Sequence, residues 1–228
     1  MRDHTNYRQA ELVNKVERGG FGVLDVMVTG VTGAGKSTTL NSIFRKEVAQ
    51  VGSGVDPMTM ELDSYAFCSV FRLWDTPGLG DGAAADIRHA KKLIQLLNKT
   101  YGNSSQYGWI DLALVIVDGS TRDMGTVYHL INDILLPNIQ SDRILAAINQ
   151  ADMAMCGRHW DNGVNRPDAT LEAFLREKAC SVQSRIKEAA GVTVPLPVYY
   201  SAEKDYNIPA LLDMIIDFVP AHRRSMCA

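Results

Sequence analysis

The chain has 228 residues, of which 46% are hydrophobic and 21% charged, with a formal net charge of −3 at pH 7. That length suits one large domain or a domain with an appendage, and the composition supplies a true core and excludes a largely disordered chain. The slightly acidic balance makes no basic field, so composition gives no support to nucleic-acid binding.

The polar first 15 residues lack the apolar centre of a secretory signal. Within residues 6–18, Tyr7, Leu12, Val13 and Val16 recur at helical spacing and Gly19-Gly20 closes the run, so residues 1–20 are expected to form a helical extension. VLDVMVT (23–29) reads as a buried strand, followed by the loop GVTGAGKS (30–37) and a helix over STTLNSIFRKE. A glycine-rich loop at 50–57 leads to two strand-like runs, MELDSYAF (60–67) and VFRLWD (70–75), and the second opens into DTPGLGDG (75–82). Apolar positions 87, 93, 94, 96 and 97 predict a one-faced helix over 85–100. LALVIVD (112–118) is a buried strand, 125–137 a helix closed by Pro137, and RILAAIN (143–149) another strand. Residues 153–169 form a loop longer than an ordinary connection. A long helix at 170–191 ends at Gly191, PLPVYYS (195–201) is the last strand, and 208–220 the last helix before a tail at 221–228.

Buried strands alternating with helices predict an α/β fold of three layers, with a mostly parallel central sheet of about six strands spanning residues 21–220. In such sheets ligands bind at the carboxyl ends of the strands, and each motif below falls at one of those ends. The four cysteines, at 68, 156, 180 and 227, show neither C-x-x-C nor zinc-site spacing, which fits reduced thiols in a cytoplasmic protein. No apolar run approaches the roughly 20 residues of a membrane-spanning helix.

GVTGAGKS matches G-x-x-x-x-G-K-[ST] between a strand and a helix, the context that a phosphate-binding loop of the P-loop NTPase type requires. Its glycines turn backbone N–H groups toward phosphate oxygens, Lys36 sets an ammonium against the β- and γ-phosphates, and Ser37 offers a hydroxyl to Mg²⁺. The candidate phosphate-binding residues are Gly30, Thr32, Gly33, Ala34, Gly35, Lys36, Ser37 and Thr38. WDTPG (74–78) is the second anchor: Asp75 stands at a strand end, where a carboxylate holds Mg²⁺ through water, and Gly78 brings its N–H close to a γ-phosphate. NQAD (149–152) follows a strand as well. It is either an ordinary turn or a base reader, in which Asp152 accepts from N1–H and the exocyclic amine of guanine while Asn149 bonds the other edge and ties the loop to the phosphate loop.

GVTGAGKS, DTPG, NQAD and YYSA (199–202) stand in the order and spacing of the P-loop GTPases. The chain resembles the Era/TrmE-like and septin-like branch of that superfamily, in particular bacterial 50S ribosome-binding GTPases of the YfjP/YeeP type, over residues 21–220. The resemblance implies GTP and GDP binding, Mg²⁺ dependence and slow GTP hydrolysis. It makes Ser201 and Ala202 the final base motif, with a backbone N–H on the guanine oxygen. It makes Thr59, in DPMTMEL, the switch threonine on Mg²⁺ and the γ-phosphate. The catalytic set is then Lys36, Thr59 and Gly78, and the metal set Ser37, Thr59 and Asp75. Gln150 replaces the family's usual lysine, an exchange expected to weaken binding by on the order of 1 kcal/mol while keeping guanine preference. NQAD then reads as a base reader with one letter changed.

Phosphoryl transfer also needs an oriented water. The position after D-x-x-G, glutamine in many relatives, is Leu79, and the phosphate-loop position that holds K⁺ in another branch is Gly33. Hydrolysis is therefore slow, or assisted from elsewhere in the chain, with Arg122 and Asp123 as candidates, or assisted by a second molecule. His159 and Trp160 in the long loop cover the nucleotide, meet a partner or, as is commoner for an aromatic, pack beneath the loop. The favoured function is a GTP-hydrolysing molecular switch. The rival is an assembly module whose nucleotide-dependent homodimer or filament is the product and whose hydrolysis is incidental. A ribosome or RNA partner enters through the resemblance alone, and NQAD with SA argues against a general ATPase.

Overall fold

A computed structural model of the chain describes residues 4, 6–44, 64–101 and 106–226. The elements run α1 (Gln9–Arg18), β1 (Leu24–Gly30), α2 (Lys36–Phe44), β2 (Ser64–Cys68), β3 (Phe71–Asp75), α3 (Ala83–Asn98) and β4 (Leu112–Asp118). They continue with α4 (Gly125–His129), β5 (Ile144–Asn149), β6 (Trp160–Asp161), β7 (Arg166–Pro167), α5 (Ala169–Ala190), β8 (Val198–Tyr199) and α6 (Ile208–Asp217). One sheet holds six strands in the order β2-β3-β1-β4-β5-β8, antiparallel only where β2 meets β3. This is the expected three-layer α/β architecture.

The layers follow from the two-residue period of a strand, which sends successive side chains to opposite faces. Val26, Val28, Leu112, Leu114, Ile116, Leu145 and Ala147 pack on one face against Leu12 and Val16 of α1, Leu40 and Ile43 of α2, and Leu211 and Ile215 of α6. Met27, Ala113, Val115, Val117, Ile144, Ala146 and Ile148 pack on the other against Leu93 and Leu97 of α3, Val127 of α4, and Val182 and Ile186 of α5. Each large side chain buried this way contributes about 1.5–3 kcal/mol, and a one-residue slip would exchange the two faces. Register is thereby fixed, and with it the level at which every strand ends.

Three elements differ from expectation. The run PLPVYYS forms ladder only at Val198 and Tyr199, because Pro195 and Pro197 have no N–H to donate. The helix expected over 125–137 changes pitch, with a π-helical turn over Leu130–Leu135. The 153–169 loop contains the β6–β7 pair, and Trp160 is buried beneath it, edge-on to Tyr206 at 5.1 Å between ring centroids. Trp160 is therefore an anchor under the loop. His159 bonds Asp168 at 2.8 Å, and Asp168 caps α5 by accepting the Thr170 and Leu171 N–H groups. Residues 45–63, which include the glycine-rich loop and Thr59, lie outside the described residues.

At the amino ends of the strands, away from every motif, a polar cluster is sealed. Asp25, fully buried, accepts from Arg72 Nε (2.8 Å) and Nη2 (2.9 Å), Trp74 Nε1 (2.7 Å) and the Tyr101 hydroxyl (2.5 Å). Asp111, also fully buried, accepts from the Asp25 N–H at 3.2 Å. Residues 222–226 are strapped across this pole: Arg143 donates to the His222 carbonyl at 2.7 Å, and buried Arg224 donates to the carbonyls of Asn138 and Leu97. Among the described residues, no helix is long and apolar enough to cross a membrane.

Candidate nucleotide site

β1 ends at Gly30, and the loop that follows wraps toward the start of α2 with Gly33 and Gly35 at φ +81° and +85°. Gly35 has a second reason to be glycine: a Cβ there would lie 2.2 Å from Asn149 Nδ2. Lys36, 8% exposed, folds its ammonium back onto the loop, within 3.0 Å of the Val31 carbonyl and 3.5 Å of the Gly30 carbonyl. Burial draws its pKa below the ordinary lysine value, and the carboxylates of Asp75 and Asp81 offset part of that shift. A cation held mainly by carbonyls in a partly desolvated loop favours an anionic partner.

Asp75, the last residue of β3, meets the start of α2: Ser37 Oγ donates to Asp75 Oδ2 at 2.7 Å. Two of the three residues expected on Mg²⁺ are therefore in contact. The set is oxygen-only, as Mg²⁺ prefers, and a hydroxyl with one carboxylate suits an ion that takes its remaining oxygens from water and phosphate. The third, Thr59, lies outside the described residues. The DTPG segment then runs along the phosphate loop. Thr76 Oγ1 donates to the Val28 carbonyl (2.8 Å), Leu79 N–H to the Gly30 carbonyl (3.3 Å), and Thr32 N–H to the Leu79 carbonyl (2.7 Å). A Cβ on Gly78 would lie 2.7 Å from Lys36 Nζ, so Gly78 passes directly beside the ammonium. Leu79 turns its side chain into the core and is 1% exposed, so it presents nothing to a water.

At the end of β5, Asn149 joins three segments. Its Nδ2 donates to the Ala34 carbonyl at 2.9 Å, and its Oδ1 accepts the Ala202 N–H at 3.0 Å. The tie to the phosphate loop is as expected. The resemblance puts one backbone N–H of the 201–202 segment on the base; that of Ala202 goes here to Asn149, whose oxygen faces the 201–202 loop once its amide nitrogen faces Ala34. Gln150, at φ +60°, donates through its neutral amide to the Gly33 carbonyl at 2.7 Å. Gly33, Gly35, Thr38, Asn149, Gln150, Asp152, Ser201 and Glu203 line a cleft of about 260 Å³. Asp152 is 7% exposed, and its buried Oδ1 has no hydrogen-bond partner.

Arg122 and Asp123 are not brought to this site. Arg122 accepts from Arg185 through its carbonyl at 3.3 Å and lines a separate cleft of about 300 Å³ against α5, while Asp123 accepts the Gly125 N–H at 2.8 Å.

A family model described as 50S ribosome-binding GTPase matches residues 25–180. The chain belongs to that family. It is 30% identical over 200 residues to Translocase of chloroplast 125 of Physcomitrium patens, a match covering 83% of this chain and 16% of that protein. It is 26% identical over 195 residues to Translocase of chloroplast 132 of Arabidopsis thaliana, covering 81% of this chain and 15% of that protein. The chain thus spans about one sixth of the length of these relatives. The crystal structure of Toc33 from Arabidopsis thaliana in complex with GDP and Mg²⁺ superposes with a TM-score of 0.63 at 19% identity, over 97% of this chain and 94% of that one. Aquifex aeolicus Era bound to GDP·AlF4⁻ follows at 0.51 and 18%, over 88% of this chain and 58% of that one. These likenesses establish a P-loop GTPase fold without singling out the Era-like, TrmE-like or septin-like branch expected from the motifs.

Several contacts of this GTPase domain were not foreseen. Glu203 lines the cleft directly after Ser201-Ala202, Asp81 accepts from Thr32 Oγ1 at 2.9 Å, and Thr39 bonds the Tyr200 hydroxyl at 2.8 Å in the core. Glu203 and Asp81 sit next to recognised motifs and were within reach of a longer motif reading. The contact at Gln150 gives a direct prediction. Gln150→Lys replaces a neutral hydrogen bond to Gly33 with a charged one and is expected to tighten GDP binding about fivefold, the equivalent of roughly 1 kcal/mol. Equilibrium titration of labelled GDP against both proteins measures it, and equal affinities would show that the Gly33 contact carries no charge-dependent energy.

Proposed function

We propose that the chain binds GTP and GDP with Mg²⁺ and hydrolyses GTP slowly to GDP and phosphate, acting as a molecular switch. The observation that carries this reading is the unpartnered Asp152 Oδ1 at the wall of a cleft that also borders the phosphate loop. A buried carboxylate oxygen without a donor suits a ligand that brings donors, and guanine offers two on one edge. Asn149 holds the base side and the phosphate side at a fixed separation, so one ligand spans both. Gly30, Thr32, Gly33, Ala34, Gly35, Lys36, Ser37 and Thr38 cradle the phosphates, Ser37 and Asp75 hold Mg²⁺, and Gly78 faces the terminal phosphate. Mg²⁺ neutralises charge on the phosphate oxygens when bound. Slow turnover follows from Leu79, whose burial removes the side chain best placed to orient water. Solved relatives supply the ligand set: Toc33 has been crystallised with Mg²⁺ and GMPPNP as well as with GDP.

The test is direct. GTP turnover by the whole chain should be measurable, low, and lost on chelation of Mg²⁺, with GTP and GDP displacing labelled GDP far better than ATP does. Displacement by ATP at the same concentration would sink the guanine assignment.

Nucleotide-dependent self-association is the second reading. Ile87, 71% exposed on α3 just after the DTPG segment, lines an apolar groove with Ala90 and Ile94. In the solved relatives atToc33 and psToc159, chloroplast translocon components, dimerization is important for the GTPase activity. Light scattering that reports the same mass with GDP and with a non-hydrolysable GTP analogue would remove this reading.

A further inference from the structure

The Gly78 segment is laid on the phosphate loop by its own backbone, yet one of its bonds comes from a different element. His89, half-buried on α3, brings Nδ1 to 2.6 Å from the Gly78 carbonyl oxygen. A carbonyl only accepts, so Nδ1 carries the proton in this bond. The peptide that joins Gly78 to Leu79 is then held at both ends, its carbonyl by His89 and its N–H by the Gly30 carbonyl at 3.3 Å. Glycine is the residue least able to hold its own backbone angles, because no Cβ restricts them. Gly78 is also the residue whose backbone runs beside Lys36 Nζ, close enough that a Cβ would come within 2.7 Å. The next side chain, Leu79, is buried in the core and does no chemistry at the phosphate side.

We propose that His89 is a positioning residue for GTP hydrolysis, one that holds the Gly78 carbonyl and so fixes where the Gly78 backbone meets the terminal phosphate beside Lys36. This rests on the GTPase reading above and adds to it a residue outside the recognised motifs. His89 touches no nucleotide atom in this role. It acts through one peptide, and that peptide concerns the terminal phosphate alone. GDP, which lacks that phosphate, is bound without it.

The experiment compares the whole wild-type chain with His89→Ala and His89→Asn. Asparagine places an amide Nδ2–H close to where the imidazole Nδ1–H stands. His89→Ala is expected to lower single-turnover hydrolysis and GMPPNP affinity about tenfold, the loss of one good hydrogen bond, with GDP affinity unchanged. His89→Asn is expected to recover most of both. The proposal is overturned if His89→Ala hydrolyses GTP at the wild-type rate. It is equally overturned if that variant loses GDP and GMPPNP affinity alike and melts lower, since that pattern belongs to a packing role. A wild type that binds no guanine nucleotide would overturn the GTPase reading itself, whereas an active wild type beside an equally active His89→Ala overturns only the role of His89.

Discussion

Asp152→Asn is expected to weaken GDP binding by about a hundredfold or more and to raise the affinity for xanthosine diphosphate. The carboxylate is 7% exposed and its Oδ1 is buried without a donor, so little solvent competes for it. Guanine places N1–H and an exocyclic amine on one edge, and a carboxylate accepts both. Asparagine turns one of the two acceptors into a donor, which faces the amine of guanine but pairs with the oxygen that xanthine carries at the same carbon. Losing a charged hydrogen bond and leaving a buried donor unpaired costs on the order of 3 kcal/mol, the hundredfold just stated. Competition of GDP, XDP and ADP for labelled GDP, on both proteins, reads the effect. If ADP competes as well as GDP and the variant changes nothing, residues 149–152 are a turn that reads no base and the phosphate half of the site stands alone. The segment is in fact a turn by geometry, with the Met153 N–H on the Gln150 carbonyl at 3.0 Å and Gln150 at positive φ. Turn and base reader were posed as alternatives, yet the turn is the means by which Asp152 is aimed at the cleft.

What could be read from sequence was what depends on neighbours along the chain. LALVIVD coincides with β4 residue for residue, because a parallel strand buried on both faces is a continuous apolar run. The end of the long helix could be read because Gly191, at φ +69°, closes it in the left-handed conformation. The phosphate loop was legible for the same reason: its glycines, lysine and serine are consecutive. Contacts made across the fold left no such trace. Tyr200 and Thr39 are 161 positions apart, and nothing in PLPVYYS marks its second tyrosine as the partner of a phosphate-loop helix. The one-faced helix read over 85–100 says nothing of His89, whose bond to Gly78 depends on where α3 lands after DTPGLGDG. The pitch change after α4 depends on packing in the same way. Asp25 is the clearest case, since VLDVMVT reads simply as a buried strand and nothing in it marks Asp25 as the centre of a network.

Asp25→Ala is expected to destabilise the fold by about 4 kcal/mol, lowering the melting temperature by roughly 10 °C. The carboxylate is fully buried and accepts from Arg72, Trp74 and Tyr101 at 2.5–2.9 Å, so its removal strands a guanidinium and two other donors. The penalty is that of leaving a partly buried charge unpaired, which exceeds the net worth of the original pair. Nucleotide binding by the folded variant should survive, because Asp25 lies near the start of β1 and the phosphate loop leaves from its end. Thermal and urea unfolding with and without GDP separate the two effects. The same melts at pH 5 and pH 8 carry a second readout. Burial is the main force that pushes the Asp111 carboxyl up to about 7 from 3.8. The native state therefore keeps a proton that the unfolded chain sheds. The stability linked to that proton is full below about pH 4 and is lost as pH rises through about 7. Asp111 thus makes the wild type less stable at pH 8 than at pH 5. A variant that melts within about 2 °C of the wild type would show that Arg72, Trp74 and Tyr101 find water as readily as they find Asp25, and that the sealed pole contributes nothing to holding β1, β3 and β4 in place.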